Sequence, residues 1–284
     1  MTSELENSTR EVIRNTLKLE YDNIEKKNSW PEFFTEENEF STKVVQRQEQ
    51  HSHSLDWNYV DVPEAGRRYI VARGPQVCST SSFWNKVWEE NCKVIVMLGK
   101  CFESKLSSYK YWITPTRLNA AFPDDGITEL ELIDFFLTVE QVSEDENPDY
   151  VVRKFKLKNT KLQQNRIIIQ FQYISWPEFG IPPTTSVFLK FLDAVLQSGA
   201  FDSAYGPPMI HCSNGGGRCG TFCLIDATLV LMAGKEVEKV SIPKILMKMR
   251  NVRKGLVETA EQLKFILMYI YFMNSEYVIL QLRT

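Results

Sequence analysis

The sequence predicts an α/β protein, a mixed sheet flanked by helices, and three observations lead there. Short apolar runs of strand length punctuate the middle of the chain, among them Val94–Leu98 and Arg166–Tyr173, centred on Ile167, Ile168 and Ile169. After residue 185 the apolar segments lengthen to helical size. Between the two kinds, Pro208-Met209-Ile210 reads as a strand end, Gly215-Gly216-Gly217 as part of a tight turn, and Thr221–Ala233 as an apolar helix.

Taken in order, residues 1–7 are expected to be disordered. Ser8-Thr9-Arg10-Glu11 fits a capping box, and Ile13, Leu17, Tyr21 and Ile24 continue at helical spacing toward Lys27. Glu36–Asp56 is polar and uninformative. Tyr69–Ala72 reads as a strand that Gly74-Pro75 ends. Phe83, Trp84, Val87 and Trp88 form one face of a helix, and Val94–Leu98 is a buried strand. Glu129–Val139 and Val151–Leu157 read as antiparallel strands joined by an acidic turn, Ser143–Asp149. Arg166–Tyr173 adds another strand. Helices follow at Ser186–Gln197, Thr221–Ala233, Ile242–Arg250 and Thr259–Tyr277. Repeats are absent from the sequence, and residues 1–284 are expected to form a single domain.

Composition narrows the function. With 284 residues, 43% hydrophobic and 24% charged, the chain can bury a large core. A net charge of −3 argues against a nucleic-acid partner. No stretch approaches the ~20 apolar residues of a bilayer span, and the polar start is unlike a secretory signal. The six cysteines lack CxxC spacing, which implies free thiols and a reducing, cytoplasmic setting. The three histidines, two of them in His51-Ser52-His53, give no reason to expect a metal site, and no cofactor is expected.

The stretch that carries chemistry is His211-Cys212-Ser213-Asn214-Gly215-Gly216-Gly217-Arg218-Cys219-Gly220-Thr221. Its glycines let the backbone approach a ligand closely. A strand-to-helix turn points several N–H groups at one spot, where the helix N-terminus adds positive potential. That is a cradle for a phosphate dianion, formed by Ser213, Asn214, Gly215, Gly216, Gly217 and Arg218, with the Arg218 fork matched to two phosphate oxygens. In such a field a thiol pKa can fall to ~3.5–7.5. Cys212 is then a nucleophile beneath a bound phosphate. The plainer alternative is a packed cysteine in a glycine turn.

This stretch resembles the signature loop of the Cys-based protein tyrosine phosphatases, and the resemblance implies their fold, their phosphotyrosine-protein substrates and a phosphocysteine intermediate. Trp176-Pro177-Glu178 resembles the family's mobile acid loop, which implies that Glu178 protonates the leaving tyrosyl oxygen and later activates water. The family has Asp there, so Glu178 is one methylene longer; the alternative is an exposed loop carboxylate. Arg250 through Gln262 resembles the family's loop with two glutamines that place the hydrolytic water. Gln262 matches the second glutamine, while Glu258 stands at the first. Thr259-Ala260-Glu261-Gln262 is also a capping box, a compatible reading of Gln262. Arg250 and Arg253 are candidates to brace the signature loop from beneath, against the alternative of a solvated basic turn. Glu103, ahead of Tyr111-Trp112, resembles the glutamate that braces the signature arginine.

Cys219 stands where the family has a hydroxyl that stabilises the thiolate. A thiol is a weaker donor, so a higher Cys212 pKa and slower turnover are expected. The family's phosphotyrosine-recognition loop has no clear counterpart; Val45-Gln46-Arg47-Gln48 is the nearest and lacks the stacking Tyr. An intact signature loop with altered accessory loops resembles the tyrosine phosphatase-like proteins of parasitoid-wasp bracoviruses. That narrower resemblance implies action in the cytoplasm of infected insect host cells. Two functions follow: impaired phosphotyrosine hydrolysis, or binding that shields phosphorylated targets without turnover.

Overall fold

A computed structural model describes residues 54–103, 108–114, 129–233 and 240–273, together with Asn15 and Leu19, which are helical; of 271–273 it describes the backbone alone. Residues 1–7, the capping box at Ser8, Lys27, and the candidate recognition segment Val45–Gln48 lie outside these residues.

Among the described residues eight strands form one sheet: β1 (Trp57–Val62), β2 (Arg67–Arg73), β3 (Val94–Leu98), β4 (Glu129–Leu132), β5 (Leu137–Glu146), β6 (Tyr150–Asn159), β7 (Gln164–Tyr173) and β8 (Met209–Cys212). The spatial order is β1-β2-β8-β3-β7-β6-β5-β4. The central strands β2, β8, β3 and β7 run parallel, and both wings are antiparallel. Among the described residues, besides Asn15 and Leu19, five helices have assigned bounds: α1 (Thr80–Glu89), α2 (Thr185–Gln197), α3 (Gly217–Ala233), α4 (Ile242–Val252) and α5 (Ala260–Met273).

The strand period of two sorts the core. In β3, Val94, Val96 and Leu98 face one cluster that holds buried side chains of α2, α3, α4 and α5. Ile95 and Met97 face the other cluster, with Phe83, Trp84, Val87 and Trp88 of α1. All five β3 residues are buried, as a continuous apolar run in a parallel sheet should be. The mixed sheet with helices on its faces is thus as the sequence predicts.

Three expected elements are redrawn, and one strand is new. The expected strand Glu129–Val139 is two strands, because Ile133–Phe135 form a 3-10 turn and Phe136 takes a left-handed φ of 56°. The expected acidic turn is mostly strand: Ser143–Glu146 belong to β5, with Arg153 Nε donating to Glu144 Oε2 at 2.5 Å across the pair. Only Asn147–Asp149 turn. Helix α3 starts at Gly217, four residues before the expected Thr221, so Arg218 sits in its first turn. Strand β1 was not signalled by the sequence.

Candidate active site

Cys212 ends β8, and the chain turns at once into α3, so the nucleophile candidate faces the first turn of a 17-residue helix. The turn is tight because of its glycines. Gly215 has φ +73°, and a Cβ there would stand 2.5 Å from Ala72 O. A Cβ on Gly217 would stand 2.8 Å from Glu258 Oε2 and 2.9 Å from Gln262 Oε1. At Gly215 the obstacle is backbone and a side chain does not fit; at Gly217 the Glu258 and Gln262 side chains would have to move.

The turn is braced from beneath. Arg253, 8% exposed, donates from Nε to Gly215 O at 2.7 Å and from Nη2 to Asn214 O at 3.1 Å. Its Nη1 meets Asp56 Oδ1 at 3.1 Å and Asn58 Oδ1 at 2.8 Å. Arg250 donates instead to the carbonyls of Leu256 and Val257, at 2.8 and 2.5 Å. The basic segment is therefore a brace rather than a solvated turn.

Arg218, 3% exposed, is fixed on three sides. Nη1 donates to Glu103 Oε2 at 2.8 Å and to Trp176 O at 3.1 Å, and Nη2 to Ser213 Oγ at 2.7 Å. Glu103 thus takes the bracing position that the resemblance implies. Burial works against the Arg218 charge, but the Cys212 thiolate and Glu103 outweigh it and raise the pKa.

Burial by itself would also push the Cys212 thiol up. The Cys219 side chain, the Arg218 charge and the N–H groups of Cys219 and Gly215 reverse that, and the pKa falls to about 6. The weaker donor at 219 does not leave Cys212 with an ordinary thiol pKa. One contact favours the protonated form: Cys212 Sγ lies 3.5 Å from Asn214 Oδ1, which a thiol can donate to and a thiolate cannot. Asn214 is held in place by Gly216 N–H, which donates to Oδ1 at 2.9 Å, and by its own Nδ2, which donates to Glu258 Oε1 at 2.7 Å.

His211 stays neutral behind Cys212. Gln170 Nε2 donates to Tyr111 Oη at 2.6 Å, and Tyr111 Oη lies 2.8 Å from His211 Nε2. Burial, then the Arg218 charge, lowers the His211 pKa to about 3.

A cleft above the turn is lined by Glu178, Phe179, Cys212, Ser213, Asn214, Arg218, Glu258 and Gln262. Glu178 therefore shares the cleft with Cys212 and Arg218. Its loop hangs from the fully buried Trp176, whose Nε1 donates to Gly180 O at 2.9 Å and whose ring packs on Tyr173 and Phe188. Gln262 is fully buried, with both ends of its amide engaged: Oε1 accepts from Glu258 N–H at 2.8 Å and Nε2 donates to Gly180 O at 3.2 Å. Thr259 caps α5 by accepting from Gln262 N–H at 3.2 Å. The return bond of the capping box reaches Glu258 rather than Thr259. Gln262 thus straps the acid loop to the loop before α5. Among the described residues no cluster of three or more His, Cys, Asp or Glu could hold a metal ion, and no helix is long and apolar enough to cross a membrane.

The sequence did not signal the Asn214–Glu258 pair, 44 residues apart, or the reach of Gln262 to Gly180, 82 residues away. Neither separation leaves a local pattern to read.

The model of the family described as protein-tyrosine phosphatase matches residues 25–272. The chain belongs to the protein-tyrosine phosphatase family. Among its relatives, Drosophila melanogaster tyrosine-protein phosphatase non-receptor type 61F is 39% identical over 212 residues, 74% of this chain and 37% of that protein. Human tyrosine-protein phosphatase non-receptor type 2 is 35% identical over 227 residues, 80% of this chain and 52% of that protein. Human receptor-type tyrosine-protein phosphatase-like N is 35% identical over 200 residues, 70% and 19% respectively. This protein-tyrosine phosphatase chain thus spans about half the length, or less, of the curated relatives it matches.

Proposed function

We propose that this chain hydrolyses phosphotyrosine in proteins through a phosphocysteine intermediate. One observation carries the reading: Cys212, its pKa drawn down to about 6, shares a cleft with the fixed guanidinium of Arg218 and the carboxyl group of Glu178. In this reading the Cys212 thiolate attacks phosphorus in line, and the phosphorus–oxygen bond breaks. Glu178 gives its proton to the departing tyrosyl oxygen. Arg218 and the N–H groups of residues 213–218 hold the three remaining oxygens as charge redistributes. Water then cleaves the phosphorus–sulfur bond and releases phosphate. The chemistry runs on protein groups alone. Enhancements of phosphate-monoester hydrolysis reach ~10²¹, so a several-hundred-fold handicap from altered accessory groups still leaves an enzyme.

Hydrolysis of a small aryl phosphate and a phosphotyrosyl peptide by purified protein, compared with Cys212→Ser, tests this. Turnover by the parent protein alone is expected; equal background rates from both would remove the reading. The second reading is a binding module that shields phosphotyrosine without turnover. Glu258 motivates it, since it stands where the family has the glutamine that places the hydrolytic water. Phosphopeptide affinity retained in Cys212→Ser, with no turnover by the parent, is its signature. We place the chain in the cytoplasm. An infected-cell setting rests on the bracovirus resemblance alone, and fractionation of insect cells expressing the chain tests the location.

A further inference from the structure

We infer that the side chain of Asn214 stands in an oxygen position of the phosphate cradle, tethered there by Glu258, and that a phosphoryl group binds by displacing it. Asn214 and Glu258 then set the affinity of the site. The inference deepens the phosphatase reading above and rests on its cradle. In that reading Asn214 serves through its backbone N–H; its side chain does something else.

Asn214 and Cys212 both line the cleft. Asn214 Oδ1 accepts from Gly216 N–H at 2.9 Å and lies 3.5 Å from Cys212 Sγ. A substrate oxygen needs much the same placement. A backbone donor holds an oxygen at ~2.7–3.2 Å. A phosphorus poised for attack lies ~3–3.5 Å from the nucleophile, with its oxygens around it. A phosphoryl group and Oδ1 therefore compete for one N–H and for the space beside one sulfur.

An Asn that accepts from the N–H two residues on is by itself an ordinary turn device. Two contacts set this one apart: the sulfur beside Oδ1, and Glu258 Oε1, which accepts from Asn214 Nδ2 at 2.7 Å across 44 residues of chain. Glu258 is anchored in turn. Its N–H donates to Gln262 Oε1 at 2.8 Å, and its Oε2 would stand 2.8 Å from a Cβ on Gly217. The carboxylate thus overhangs the first turn of α3 and holds the Asn214 amide across the cradle. A phosphate dianion entering the cradle replaces Oδ1 on the Gly216 N–H. Its oxygens are acceptors, so it offers Glu258 no donor in exchange for Asn214 Nδ2. That cost falls on every tetrahedral oxyanion alike.

Calorimetric titration with tungstate, an unreactive tetrahedral oxyanion, reads the cost without turnover. Asn214→Ala is expected to bind tungstate about 10-fold tighter than the parent, equivalent to about 1.4 kcal/mol and in keeping with one hydrogen bond to a charged group. Unchanged or weaker affinity, in a variant that melts as cooperatively as the parent, overturns the inference, because Asn214 would then only shape the turn. Glu258→Ala tests the tether. It should tighten tungstate binding in the parent and do so by less in Asn214→Ala. No tightening in the parent, or as much in Asn214→Ala, overturns the tether. Should Asn214→Ala fail to fold, crystals of the parent with tungstate decide. Asn214 Oδ1 turned away from Gly216 N–H supports displacement, and tungstate seated over an intact Asn214–Gly216 bond overturns it. A parent that binds tungstate but hydrolyses no aryl phosphate ends the phosphatase reading, and the same affinities still decide this one. A parent that binds no tungstate ends both.

Discussion

The signature loop and the acid loop meet over one cleft but are built on opposite plans. The signature loop is continuous with a central strand and a long helix, and Arg253 braces two of its carbonyls from a buried position. The acid loop has one deep anchor, Trp176, whose carbonyl accepts from Arg218; beyond it Pro177 and Phe179 are exposed, and Gly180 O accepts from Trp176 Nε1 and Gln262 Nε2. One end of the reaction is thus set by packing and the other by a few exchangeable bonds. Damage to the first should abolish all chemistry, and damage to the second should slow only the steps that need a proton donor or a closed cleft.

The comparison breaks most severely at the nucleophile. Cys212→Ser should reduce turnover to background while leaving the melting temperature near that of the parent, read by an aryl phosphate assay beside calorimetry. Glu178→Gln should lower kcat by about 10²–10⁴ for a phosphotyrosyl peptide. The loss should shrink for an aryl phosphate with a weakly basic leaving oxygen, because less protonation is then needed. Equal losses on both substrates would show that Glu178 does something other than donate a proton.

Bracing should appear as stability. Arg253→Ala leaves Gly215 O and Asn214 O without their donor and should cost about 1–3 kcal/mol by denaturant titration, with activity lost in parallel. Gln262→Ala removes one strap from the acid loop and leaves Glu258 N–H without its acceptor; it should lower kcat several-fold and cost less stability than Arg253→Ala. If the stability losses were equal, the two loops would not differ in the way described.

The gentlest test is titration. The thiolate is the reactive form, so alkylation of Cys212 by iodoacetamide should rise with pH and reach half its maximum near the pKa of about 6. Cys219→Ser, a stronger donor, should move that midpoint down, and Cys219→Ala should move it up. Mild peroxide should oxidise Cys212 before the half-buried Cys101 or the buried Cys92, whose thiols desolvation pushes up to about 11 and about 12. His211 supplies a stability counterpart. Its pKa in the folded chain is lowered to about 3, whereas an unfolded His titrates near ~6.5. Acid therefore protonates the unfolded chain first. The His211 contribution is complete above that unfolded value and should drain away as pH falls from there toward 3, less so in His211→Gln.

What could be read in the sequence was whatever is local or periodic. Val94–Leu98, Arg166–Tyr173 and the α1 face follow from burial on a repeating pattern. Cys212, Arg218 and Glu178 lie in short stretches whose chemistry is readable residue by residue, and one cleft brings them together. Errors fell where a distant partner overrides local preference. Ser143–Glu146 looks like a turn in isolation and becomes strand because Lys154, Arg153, Val152 and Val151 lie opposite it. The divide between β4 and β5 depends on one left-handed residue, Phe136, that no composition rule flags. Glu258 was visible only as a substitution; its bond to Asn214 had to be seen in space.

The strand order has a consequence for biosynthesis. Strand β8 is the last of the eight to be made, yet it lies between β2 and β3, in the middle of the sheet. A chain that stops before Met209 cannot join β2 to β3, and the unpaired parallel edges of those strands would invite association with other chains. A product truncated before Met209 loses the thiol and, with it, the wedge that joins the halves, so it should aggregate rather than persist as an inactive fold.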